Sequence, residues 1–122
     1  MQDISHSSPG DMYSRLMAIS QEALVSAHEE TAYHALTAAM HLADDLGDDQ
    51  RLLAVERAAK AQLDWIDAHN PENRMSSQST AERKGVNLYY TLIKQAAAHA
   101  LIARQERRRK HTHNLPWPGD AS

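Results

Sequence analysis

Alanine decides the fold class before any motif is read. The chain carries 20 alanines and no phenylalanine, and Val25, Val55 and Val86 are its only valines. Alanine is the best helix former, whereas strands draw on the β-branched and aromatic residues that are scarce here. An all-α protein follows. At 122 residues the length fits one domain, which typically takes about 100 to 200 residues. Apolar residues at 42% and charged residues at 24% are ordinary globular usage, so a folded core is expected.

Other features exclude function classes. With no cysteine, the chain has no disulfide, thiolate metal site, iron–sulfur cluster or cysteine nucleophile. That is compatible with a reducing compartment, and a cytoplasmic location is expected. The first twenty residues hold Asp3, Asp11 and several serines in place of a basic stretch and an apolar core, so no secretory signal is read. No apolar run reaches the 18 or so residues that a membrane span needs.

The periodicity predicts four helices. Ser8-Pro9-Gly10-Asp11 combines a cap, a first-turn proline and an acid, which starts a helix over 9–26. Its stripe is Met12, Leu16, Ile19, Ala23 and Ala27. That phase breaks near 27–30, where Ser26 and Glu29 form a capping-box pattern. A second helix over 29–46 carries Ala32, Leu36, Ala39, Ala43 and Leu46, with Gly47 as its cap. Asp48 or Asp49 caps a third, 49–69, with Leu52, Val55, Ala59, Leu63 and Ile66 inward and Trp65 at the core margin. Residues 70–79 read as the longest loop. Ser79 and Glu82 then open a fourth helix over 80–109 with Val86, Tyr90, Ile93, Ala97 and Leu101 as its stripe. Gly85 weakens its first turns by roughly 1 kcal/mol, which allows a start near Val86. The expected architecture is an antiparallel four-helix bundle or a pair of helical hairpins over 9–109. Residues 1–8 and 110–122 are expected to be flexible ends.

The hairpin from Leu16 to Ala39 resembles a tetratricopeptide repeat, a helix–turn–helix unit of about 34 residues. Leu16, Ile19, Ser20 and Ala23 on one helix, with Ala32, Leu36 and Ala39 on the next, carry the likeness. Ser20, Ala32 and Ala39 stand where the family places small residues. The family's bulky aromatic positions are Leu16 and Ala23 here, and its helix-ending proline falls on Asp44. The resemblance implies a binding scaffold without catalysis.

Candidate chemistry is sparse. Glu30, His34, Thr37, His41 and Asp45 share one face of the second helix, drawn from 8 histidines in all. Carboxylate-bridged metal bundles need a glutamate three residues before a histidine on each of two helices. Glu30 precedes His34 by four, on one helix, so the face reads as solvated and no metal or other cofactor is expected. No phosphate loop, nucleophile elbow or close carboxylate pair occurs, and no catalytic residue is assigned. Arg108 with His113, and Arg104 with His111, match the arginine–histidine spacing of the HEPN ribonucleases, a match that four arginines beside two histidines make almost by necessity.

The basic run is the leading charge feature. Residues 1–103 hold 8 Lys or Arg against 14 Asp or Glu, a net −6, while residues 104–113 carry +4. Arg104, Arg107, Arg108, Arg109 and Lys110 are therefore candidate partner-binding residues. Tyr89 joins them, because Tyr89 and Tyr90 lie about 100° apart on a helix and cannot both face one core. The sequence favours a non-enzymatic helical interaction module, an adaptor or dimerising scaffold whose partner is another protein or a second copy. Nucleic-acid binding through 104–113 is the second reading, and a HEPN-like or metal-dependent enzyme the third.

Overall fold

The computed structural model describes residues 8–113. All regular structure among them is helical, in the order α1 Pro9–Val25, α2 Glu29–Asp45, α3 Asp49–His69, α4 Ser77–Glu82 and α5 Leu88–His113. α1 pairs with α2 and α3 with α5, while α2 packs against α3 and joins the two pairs. No described helix is long and apolar enough to cross a membrane. Of the ends expected to be flexible, 1–8 and 110–122, Ser8 caps α1 and residues 110–113 continue α5, four residues beyond the expected helix end at 109; residues 1–7 and 114–122 lie outside the described residues.

Local chemistry sets each boundary. Ser8 caps α1 by accepting a hydrogen bond from the Asp11 N–H at 3.1 Å, and Pro9 opens the first turn. Asp48 caps α3 through the Arg51 N–H at 3.0 Å. Gly47, at φ +62°, ends α2 in the left-handed region that glycine enters freely. The Ser26–Glu29 box does not form. Ala27 takes the left-handed conformation at φ +64°, and the N–H groups of Ala27 and His28 bond to the carbonyls of Leu24 and Ala23. Ser26 therefore closes α1, while the Glu29 carboxylate accepts from Asn70 at 3.0 Å.

The expected fourth helix is two helices. Ser76, not Ser79, caps α4 by accepting from the Ser79 N–H at 3.0 Å. The turn at Lys84, φ +54°, then stops α4, and Gly85 falls in the linker. Asn87 starts α5 by accepting from the Tyr90 N–H at 2.9 Å, while its amide donates to the Met75 carbonyl and the Thr80 hydroxyl. One asparagine thus ties the 70–76 connection, α4 and α5 together.

The α2 stripe is buried as expected, with Ala32, Leu36, Ala39 and Ala43 at 0% exposure. Trp65 sits at the core margin, stacked on His69 with ring centroids 4.4 Å apart. Three other stripes shift. α1 buries Tyr13, Ser20, Ala23 and Leu24 and leaves Ile19 exposed. α3 buries Gln62 in the place expected for Leu63, which is half-buried. α5 buries Tyr89, Leu92, Ala96, Ala100 and Ala103, so Val86, Tyr90 and Leu101 are outside the core.

A buried polar chain explains these phases. The Tyr89 hydroxyl donates to Gln62 Oε1 at 2.7 Å. Gln62 Nε2 donates to Ser20 Oγ at 2.8 Å, and Ser20 donates to the Ala32 carbonyl at 2.7 Å. The chain crosses α5, α3, α1 and α2 in turn. Buried polar atoms must find partners or lose their hydration uncompensated, so the rotation that satisfies this chain is the one that turns Tyr90 outward. No buried side-chain N or O among the described residues lacks a partner.

Candidate interaction surface

α5 carries two apolar stripes, which its geometry sets about 120° apart. At 100° per residue, the line Tyr89, Leu92, Ala96, Ala100, Ala103 points into the bundle, while Tyr90 and Leu101 are exposed on the second stripe with the half-buried Ala97 between them. Tyr90 is 56% and Leu101 57% exposed; Ile102, at 56%, is turned about 100° from Leu101 toward the α2–α3 corner. Ala96, Ala100 and Ala103 are small where α5 packs on α3, while Tyr89 and Leu92 fill the core near its start.

Tyr89 is corrected by this arrangement: it is fully buried and hydrogen-bonded within the core, and Tyr90 is the surface tyrosine. Burial, with Glu29 and Tyr33 nearby, pushes the Tyr89 hydroxyl pKa above its ordinary value of 10. Burial also raises Tyr13, against the opposing charge of Arg51. Tyr90 stands under Lys94, whose ammonium lies 5.1 Å from the ring centroid, a cation–π contact at the surface.

The five basic candidates divide by role. Arg107 donates to Asp49 Oδ2 at 2.8 Å, and that carboxylate is only 5% exposed at the start of α3. Arg107 therefore holds the end of α5 to the α2–α3 corner. Arg109 pairs with Glu106 at 2.6 Å along α5. Arg104, Arg108 and Lys110 are exposed, and no carboxylate among the described residues forms a salt bridge with them. Arg104 and Arg108 continue the outward stripe: Tyr90, Lys94, Ala97, Leu101, Arg104 and Arg108 are spaced alternately four and three apart, the spacing of a coiled-coil seam.

On the other side of α5 from this stripe, a cleft of about 390 Å³ lies between the α2–α3 corner and α5, with Asp44, Asp45, Leu46, Ile102 and Lys110 among its walls. His99 closes the same side, its Nδ1 2.9 Å from Asp44 Oδ1. The histidine face of α2 is dispersed: Glu30 pairs with Arg74 at 3.3 Å, His34 lies edge-on to Tyr33, and His41 is exposed. Among the described residues no three His, Asp or Glu side chains gather as a metal site. Arg104 and His111 are both exposed along α5, and the side chain of His113 lies outside the description.

Gln62, Asn70 and Asn87 were missed by the sequence reading. Gln62 had a signal, because 52, 55, 59, 62 and 66 repeat at three and four. Asn87 had one as well, an N-cap asparagine three residues before Tyr90, whereas Asn70 had none, since its partner Glu29 is 41 residues away. Comparisons with protein-family models, curated proteins and solved structures found no match.

Proposed function

We propose that the protein is a non-enzymatic helical interaction module whose working surface is the outward face of α5 and its basic end. The observation that carries this reading is the second apolar face. A monomer gains nothing by keeping Tyr90 and Leu101 in water, and exposed apolar side chains bordered by charge are typical of protein contacts. Arg104 and Arg108 supply the polar border, while Lys110 lies by the cleft and Arg107 is engaged with Asp49. The repeat-like α1–α2 hairpin serves in this reading as the support that holds α5 in place.

Co-purification from the native source, comparing the wild-type chain with Leu101→Glu and His34→Ala, tests it. The reading expects bound proteins that are lost with Leu101→Glu and kept with His34→Ala. Equal recovery by all three chains would overturn it.

A further inference from the structure

We infer that the outward face of α5 docks an amphipathic helix of another protein whose apolar stripe is flanked by carboxylates; this rests on the interaction-module reading and names the partner's chemistry. The seam runs from Tyr90 to Arg108, about 27 Å at 1.5 Å per residue, which is the length of a helix of five turns. Its centre is apolar, through Tyr90, Ala97 and Leu101. Lys94 sits within it between Tyr90 and Ala97, Arg104 and Arg108 follow it at its C-terminal end, and Arg83 and Lys84 lie exposed before its start. The four–three spacing suits a second helix packed alongside at a shallow angle.

Charge selects the occupant. Pairing this face with the same face of a second copy brings cation against cation in either orientation: parallel copies align their arginines, and antiparallel copies set Arg104 against Lys94. Like charges at a contact oppose association and exclude wrong partners. Docking this face onto the acidic body of a second copy would be head-to-tail, a contact that produces open chains unless the rotation closes. A foreign helix with apolar residues three and four apart and Glu or Asp beside them satisfies both the apolar centre and the basic border.

The test uses the full chain and two labelled helical peptides of about 20 residues. They share one leucine stripe and differ only in carrying Glu or Lys at the flanking positions; binding is read by fluorescence anisotropy near 0.15 M salt. The Glu peptide is expected to bind at least about tenfold tighter than the Lys peptide. Tyr90→Ser with Leu101→Ser should weaken it by at least about tenfold, with the melting temperature kept because both side chains are exposed. Arg104→Glu with Arg108→Glu should invert the preference. Equal affinity for both peptides, or no effect of the serine pair, would overturn the inference. So would tighter binding of a uridine 20-mer than of the Glu peptide, which assigns the face to nucleic acid. A dimer dissolved by Leu101→Glu in sedimentation velocity assigns it to a second copy; that outcome overturns this occupant and leaves the interaction-module reading standing. A monomer that binds neither peptides nor oligonucleotide overturns both.

Discussion

Replacing Tyr89 with Phe removes one oxygen from the centre of the bundle and keeps the ring. The lost atom is the donor to Gln62 Oε1 at 2.7 Å, and Gln62 is 3% exposed. The orphaned amide oxygen has no route to water, so the cost is its uncompensated desolvation, about 1 to 3 kcal/mol. In a domain of this size that lowers the melting temperature by about 4 °C per kcal/mol. Gln62→Met alone should cost a similar amount, because it strands the Tyr89 hydroxyl and deprives Ser20 of a donor, while Ser20 keeps its bond to the Ala32 carbonyl. Once both ends are apolar, neither atom is stranded. Tyr89→Phe with Gln62→Met should therefore be less destabilising than the sum of the single changes by about 1 to 2 kcal/mol. Urea unfolding followed by circular dichroism at 222 nm measures the cycle. Additivity within about 0.5 kcal/mol would refute the claim that the two side chains depend on each other.

Three further outcomes follow from named contacts. Ala27→Gly should stabilise by about 1 kcal/mol, because φ +64° strains a residue with a Cβ, and Gly47→Ala should cost a similar amount, since at φ +62° nothing but the backbone opposes the methyl; thermal melts of both variants check the pair. Arg107→Ala should cost about 1 to 3 kcal/mol by leaving the buried Asp49 carboxylate without its donor, whereas Arg108→Ala should stay within about 0.5 kcal/mol; parallel urea curves compare them. The raised Tyr89 pKa means that the folded state keeps the phenolic proton after the unfolded chain has lost it. Stability from this group is full below about pH 10 and falls as pH rises above it, by at most about 1.4 kcal/mol per unit. Tyr89→Phe should make the alkaline loss shallower, which chemical denaturation at several pH values from 9 upward would show.

The all-α class was legible because composition alone excluded a sheet. The phase of α2 was legible as well, since Ala32, Leu36, Ala39 and Ala43 oppose polar His34 and His41, so one rotation buries only apolar atoms. α5 offered two rotations. The stripe through Tyr90, Ile93, Ala97 and Leu101 is bulkier than the one through Tyr89, Leu92, Ala96 and Ala100, and bulk pointed to the wrong one. What selects the smaller face is the hydrogen bond from Tyr89 to Gln62, 27 residues away. No window along the sequence contains that contact. The break between α4 and α5 had one local sign, Asn87 as an N-cap for Tyr90, but the left-handed turn at Lys84 and the reach of Asn87 back to Met75 and Thr80 leave no periodic trace. Of the candidate surface, the basic residues were legible by count, but their division into Arg107 bound to Asp49 and Arg104 and Arg108 facing water depends on the corner that the fold brings beneath α5.

The central claim, that α5 turns its smaller face inward and its larger one outward, is tested most directly by thiol labelling, for which a chain without cysteine gives a clean background. Leu101→Cys and Ala100→Cys place a thiol on adjacent residues of 57% and 3% exposure. The fold predicts that Cys at 101 reacts with a water-soluble disulfide reagent within about tenfold of a free thiol. Cys at 100 should react more slowly by about two orders of magnitude or more, because it requires an opening that costs several kcal/mol. The reverse order, with position 100 the faster, would put the bulkier stripe in the core and contradict both the fold of α5 and the surface proposed on it.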